Sequence, residues 1–301
     1  MRVLLVGAGG FLGRTIHKVL IENGHTVIPS SRRLPRLTGS EQLTPHKDWL
    51  LGDLENINWA ESVVGAQAVI CTAASLAMGS EVHDWESCVS TNIYGFSKLF
   101  HWAESSGIQS FVFTSSAGLY KRPAEEIPIS EQSEIRPLGA YWTTKLLAEQ
   151  LMFSTDIPSM KCWALRMSSP YGPNQSTKSV LPIFVQHAKD GTPMTITGDR
   201  LRSQDFVWIE DAARAHVMCL TASSQKVQQP INLGSGEETS MEQLAKAIRK
   251  QFESTSEIHF RTQGNEESNR FFLDISLAKK ILEYQPVNLE TGLGYLRKSY
   301  L

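Results

Sequence analysis

R-V-L-L-V at residues 2–6 runs directly into G-A-G-G-F-L-G at 7–13, and this junction limits the fold more than any other stretch of the chain. Four glycines in seven residues continue neither a strand nor a helix without a large entropic cost, so the apolar run must end in a tight turn. Residues 14–23 then carry the 3.6-residue apolar period of a helix. Strand, glycine turn and helix open a βαβ unit, whose second strand runs parallel to its first.

The alternation continues. Short apolar runs rich in β-branched residues lie at 25–29 (HTVIP), 68–74 (AVICTAA), 111–116 (FVFTSS) and 161–167 (KCWALRM). Helical patterns at 14–23, 85–105 and 141–153 separate them. This succession predicts an α/β protein with a parallel sheet covered on both faces, which binds ligands beyond the carboxyl ends of its strands. Beyond Pro170 the texture changes to turns, a short helix at 180–189 and a strand at 194–197. Residues 206–233 are expected to return to the sheet, and MEQLAKAIRKQFE (241–253) to form a helix. Two domains of interleaved pieces follow: 1–168 with 205–234, and 169–204 with 235–301. A chain of 301 residues suffices for both.

A net charge of −2, with 20% charged residues, gives no electrostatic reason to expect nucleic acid or an anionic membrane as partner. Cys71, Cys88, Cys162 and Cys219 are far apart and form no C-x-x-C pair, as expected of reduced thiols in a cytoplasmic protein. The N-terminal apolar run is too short for a signal-peptide core or a membrane span. No His/Cys cluster has metal-ligand spacing, so no metal is expected.

Gly7, Gly10 and Gly13 lack the Cβ atoms that would keep a pyrophosphate from the first N–H groups of the helix, where the dipole favours negative charge. Phe11 and Leu12 lead into that helix, and Leu12 stands where G-x-G-x-x-G carries its third glycine. Dinucleotide binding is the reading; a tight turn without ligand is the alternative. Ser31 ends the second strand and is followed by Arg32 and Arg33, with no Asp or Glu between Glu22 and Glu41. An acid there would hold the ribose hydroxyl of NAD, whereas a guanidinium forks a 2′-phosphate. NADP(H) is therefore expected over NAD(H), unless the arginines are a solvated loop. In G-D-L-E-N (52–56), Asp53 is a candidate for the adenine amino group and Leu54 for the ring face.

Ser116 ends a strand where ligands bind, although a turn or N-cap serine reads the same way. Tyr141 and Lys145 are four apart and share one face of a helix. A phenol with a pKa near 10 is a poor acid–base catalyst at neutral pH, and a neighbouring ammonium is expected to lower it. Trp142, next to Tyr141, either lines a pocket or packs on the sheet. His101 and His216 read as helix-surface or packed histidines.

With these motifs, TNIYGFSKLF, LRMSSPYGPNQ, QDFVWIEDAARAH and INLGSGEETSMEQLAKAI, the chain resembles the extended short-chain dehydrogenase/reductase superfamily, and within it the NAD-dependent epimerase/dehydratase family. The resemblance covers nearly the whole chain. It implies a Rossmann doubly wound parallel sheet with a second, smaller α/β substrate domain, and a homodimer. It makes Ser116, Tyr141 and Lys145 the catalytic hydroxyl, acid/base and lysine, and Asn92 a support for their hydrogen bonds. Ala73 and Ala74 would pass the cofactor, while Pro170 would border the nicotinamide and Tyr171 the substrate. Relatives acting on nucleotide sugars often have arginine where this chain has Gln204; Arg200 and Arg202 are the nearby substitutes for gripping a pyrophosphate. Ser169 stands where many relatives place a substrate-touching asparagine. Ala117 and Gly118 replace the Asp-Glu pair of dehydratases, which argues against 4,6-dehydration. The expected activity is NADPH-dependent reduction of a keto group on a nucleotide-activated deoxysugar. The alternatives are a nucleotide-sugar epimerase with retained NAD and a non-catalytic dinucleotide sensor.

Overall fold

The computed structural model describes residues 1–35, 48–77, 82–155, 157–176, 179–199, 202–223, 227–261 and 269–300. Two compact units divide the chain. The first comprises 1–119, 136–167 and 213–231; the second comprises 120–135, 168–212 and 232–301.

The first unit begins with β1 (Arg2–Val6), α1 (Phe11–Glu22), β2 (Thr26–Ser31), β3 (Leu50–Leu51), α2 (Trp59–Ser62) and β4 (Ala68–Cys71). It continues through α3 (Trp85–Val89), a π-helical turn (Ser90–Gly95), α4 (Phe96–Ser105), β5 (Ser110–Ser116), α5 (Ala140–Ser154) and β6 (Lys161–Met167). These strands pair in parallel. Continuous burial along β1, β4 and β5 matches their unbroken apolar runs, as central strands covered on both faces require. Phe96, Phe100, Phe111 and Phe113 interlock in one apolar cluster, Phe96 lying edge-on to Phe111 at 5.8 Å.

The single helix expected over 85–105 is three pieces. At the break a Cβ on Gly95 would lie 3.0 Å from the Glu55 backbone and from Leu54, and Asn92 turns inward. A one-residue widening of the helix accommodates both.

The second unit contains β7 (Ser169–Tyr171), α6 (Val180–Asp190), β8 (Met194–Thr197), β9 (Ser203–Gln204) and β10 (Phe206–Trp208). Helix α7 (Ile209–Thr221) passes into the first unit at Ala213, and β11 (Ile231–Leu233) completes a seven-stranded sheet of order β11-β6-β5-β4-β1-β2-β3. The chain then forms β12 (Thr239–Ser240), α8 (Met241–Gln251), β13 (Ile258–Arg261), α9 (Ser276–Leu282) and α10 (Leu289–Lys298). Three two-stranded ladders, β10·β7, β12·β9 and β13·β8, carry an apolar core around Phe184, Leu244 and Leu293. Ser240 and Gln243 form a capping box at the start of α8, satisfying two otherwise orphaned N–H groups.

Two segments fall in the second unit rather than where the sequence reading put them, each held there by its own contacts. Residues 120–135 lie in the second unit because Tyr120 bridges Ile135, Ile129 bridges Leu273, and Asn232 accepts from Tyr120 and donates to the Ile129 carbonyl. Residues 205–212 lie there too: Phe206–Trp208 pairs with β7, so only Ile231–Leu233 returns to the large sheet. The buried Asp205 carboxylate fixes that segment, accepting from Ser168, the Ser235 N–H and hydroxyl, and the Gly236 and Leu273 N–H groups.

Candidate active site

The sheet order reverses between β1 and β4, and the glycine turn sits at that point. Gly7 has φ +90°, and a Cβ on it would lie 2.5 Å from the Thr72 hydroxyl and 2.7 Å from the Ala73 nitrogen. Only glycine lets the β1 exit come so close to the β4 exit. A Cβ on Gly13 would collide with the Gly7 carbonyl, so that glycine sets the turn against α1. Gly10 caps α1 without a side-chain bond, and the first turn, including Phe11 and Leu12, holds no acid. Uncapped N–H groups at a twelve-residue helix end fit the pyrophosphate of a dinucleotide. Ala73 and Ala74 follow β4 at the same edge and remain partly open.

At the end of β2, a Cβ on Gly9 would meet the Ser31 hydroxyl at 2.6 Å, so Ser31 packs on the glycine turn. Arg32 and Arg33 project into solvent. Asp53 is exposed, whereas Leu54 is 5% exposed within the apolar cluster, its side chain committed to packing.

Helix α5 carries Tyr141 and Lys145 to the carboxyl end of β5. The Lys145 ammonium donates to the Thr114 carbonyl at 2.7 Å and lies 4.4 Å over the Phe113 ring and 5.8 Å from the centre of the Tyr141 ring. Ser116 ends β5, and its hydroxyl accepts from the Gly118 N–H at 3.1 Å. The Asn92 amide oxygen accepts from the Ser75 N–H at 2.8 Å, and its nitrogen donates to the Ser75 carbonyl and the Thr144 hydroxyl, both at 3.0 Å. Asn92 thus ties the segment after β4 to α5 between Tyr141 and Lys145. Sequence reasoning missed Ser75 and Thr144, since a serine in a loop and a threonine in a helix carry no signal of their own. It also missed the bond between buried His216 and Thr114 at 2.8 Å, which steadies the residue whose carbonyl holds Lys145.

The electrostatics differ from the sequence expectation. Burial, with Cys88 as a secondary cause, pushes the Tyr141 phenol up rather than down. Burial also lowers Lys145 from 10.5 to about 8. The ammonium is engaged by the Thr114 carbonyl and the Phe113 ring, and burial outweighs its influence on the phenol. Part of the Tyr141 surface nevertheless remains open.

In the second unit, Gln204 donates to the Ser169 hydroxyl at 2.6 Å, and Gln175 donates to the Pro170 carbonyl at 2.8 Å. Tyr171 does not line an open surface. It is fully buried, edge-on to Trp208 at 5.5 Å, with its hydroxyl bonded to the Leu289 carbonyl, which removes it from the expected substrate-contacting set. Arg202 is exposed, and Arg200 lies outside the described residues.

A parallel sheet with a glycine turn at its order reversal, and a Tyr–Lys helix beside the next strand end, defines a dinucleotide-dependent enzyme of the short-chain dehydrogenase/reductase class. The chain belongs to the NAD-dependent epimerase/dehydratase family, whose model matches residues 3–234. It is 26% identical to a UDP-glucose 4-epimerase of Mycolicibacterium smegmatis over 98% of this chain and 96% of that protein. It is also 26% identical to a dTDP-4-dehydro-6-deoxyglucose reductase of Escherichia coli over 99% of this chain and 96% of that one. The crystal structure of UDP-glucose 4-epimerase from Thermotoga maritima with UDP-glucose superposes with a TM-score of 0.85 at 25% identity, covering all of both chains.

Proposed function

We propose that this protein exchanges hydride at the C4 carbinol or keto carbon of a nucleotide-activated hexose, with Ser116, Tyr141 and Lys145 as its catalytic residues. The observation that carries this reading is the placement of Tyr141 and Lys145, one helical turn apart, at the carboxyl end of β5, with Lys145 held by the Thr114 carbonyl. A nicotinamide bound along the glycine turn supplies the oxidation and reduction. Tyr141 carries the proton in both directions: as the phenol, the form burial favours in the free chain, it donates to the sugar oxygen while the carbonyl carbon gains hydride, and as the phenolate it takes the carbinol proton while C4 loses hydride. Ser116 holds that oxygen in place. Asn92 keeps α5 in register with the segment after β4, so the phenol meets the carbon it serves.

Epimerisation is the first form of this activity. It is supported by the full-length similarity to UDP-glucose 4-epimerases. Reduction of a 4-keto sugar is the second. It is favoured by Arg32 and Arg33, which present two exposed guanidinium groups at the end of β2 where a 2′-phosphate of NADP would lie. One experiment separates them. Purified protein is incubated with UDP-glucose, and in parallel with a dTDP-4-keto-6-deoxyhexose and NADPH, followed by NMR and by absorbance. Galactosyl product without net absorbance change supports the epimerase; stoichiometric NADPH loss supports the reductase. Absence of both sinks the proposed activity.

A further inference from the structure

Helix α5 places the Trp142 indole across the Cβ direction of Gly118. A Cβ built on Gly118 would lie 2.6 Å from both Cδ1 and Cε2 of Trp142 and closer still to Nε1, so no side chain of any kind fits at position 118 while the indole stays. Gly118 is two residues beyond Ser116 and donates its N–H to that hydroxyl; Trp142 adjoins Tyr141, their ring centres 6.1 Å apart. The indole therefore lies against the segment just after Ser116 and next to the Tyr141 ring, the two residues proposed to hold the reacting oxygen. It is only partly covered, and among the described residues none accepts a hydrogen bond from its N–H. Trp163, in β6, is by contrast 1% exposed.

We infer that Trp142 is the specificity-determining wall of the site, admitting a hexose whose exocyclic carbon is neutral and excluding a hexuronate. This rests on the hexose reading proposed above. Of the two ring carbons flanking C4, C5 bears the bulkier substituent, and a rigid wall beside the reacting carbon selects on that one. An indole face offers apolar contact to a methyl or hydroxymethyl group. Its π-cloud and bulk desolvate a carboxylate while offering at most one N–H against two charged oxygens, a cost that a neutral substituent does not meet. The same wall forbids an acidic side chain at 118, so the absence of dehydratase-type acids there is enforced sterically as well as by sequence.

The test uses Trp142→Ala and Trp142→Phe in the full chain, with UDP-glucose and UDP-glucuronate as probes and UDP alone as control. For Trp142→Ala, kcat/KM for the glucuronate relative to the glucose is expected to rise at least about tenfold, mostly through KM, with Trp142→Phe in between. The melting-temperature shift produced by UDP alone should stay unchanged. A ratio constant within about twofold while UDP-glucose is still converted overturns the inference and leaves the proposed activity standing. Sugar nucleotides that shift neither protein overturn both. An arm independent of turnover measures the steric coupling. Gly118→Ala is expected to lower the melting temperature by about 4 °C or more in the wild-type background and by much less in Trp142→Ala. Equal losses in the two backgrounds would remove the indole from that position and the inference with it.

Discussion

Helix α5 buries two charged side chains one turn apart and treats them in opposite ways. Glu149 is fully matched: Arg166 bonds it through Nε at 3.1 and 3.2 Å and through Nη2 at 2.8 Å, and Ser115 donates to it as well. Lys145 has one carbonyl and one aromatic face, and burial drives its pKa down to about 8. The Glu149 end locks α5 onto β5 and β6. The Lys145 end keeps a poorly solvated cation beside Tyr141 at the mouth of the nucleotide crevice. The contrast separates a charge saturated by partners, which anchors a helix, from an under-matched buried charge, which under the proposed function is the one placed for chemistry.

The comparison is tested most severely at the phenol. Tyr141→Phe is expected to lower kcat by about 10²–10⁴-fold. The melting temperature and the cofactor titration should hardly move; unchanged turnover would remove Tyr141 from the chemistry. The next largest effect falls at the matched end. Arg166→Met leaves Glu149 buried and unpaired and should cost about 3–5 kcal/mol in urea unfolding. A loss below about 1 kcal/mol would show that the pair is not what anchors the helix.

Lys145→Met is expected to act with the opposite sign, adding about 2 kcal/mol at pH 7 while abolishing turnover. The gain is removal of a buried cation, less the bond to Thr114. The sign follows from linkage: with the folded pKa lowered from 10.5 to about 8, the unfolded chain binds this proton more tightly. The penalty is therefore present in full below pH 8 and disappears as pH rises toward 10.5. Wild-type stability should climb over that interval relative to Lys145→Met, and wild-type kcat/KM should fall as pH rises through about 8, where the ammonium is lost. Parallel stability profiles for the two proteins would contradict the assignment.

The large sheet was legible because its central strands are short continuous apolar runs. The expected 2–6 and 161–167 coincide with β1 and β6, and 111–116 differs from β5 by one residue. The second unit was legible in helices α6 and α8 and in strand β8, where the expected 194–197 coincides with Met194–Thr197. Its other ladder strands are two to four residues long and carry no such signal, and the segments around Asp205 and Asn232 are held by partners up to about a hundred residues away in the chain. Tyr171 shows the limit most plainly, since a tyrosine next to Pro170 reads the same whether it faces a substrate or the core.

Local chemistry in the chain alone determined the glycine turn, the parallel strands and the Tyr–Lys spacing, because each depends on residues within a few positions of one another. Only the tertiary structure decided what surrounds them: a phenol raised rather than lowered, an ammonium near neutrality, a tyrosine sealed in the core and an indole over Gly118. Those outcomes depend on desolvation and on atoms brought together from distant segments, and neither quantity is written in any single stretch of sequence.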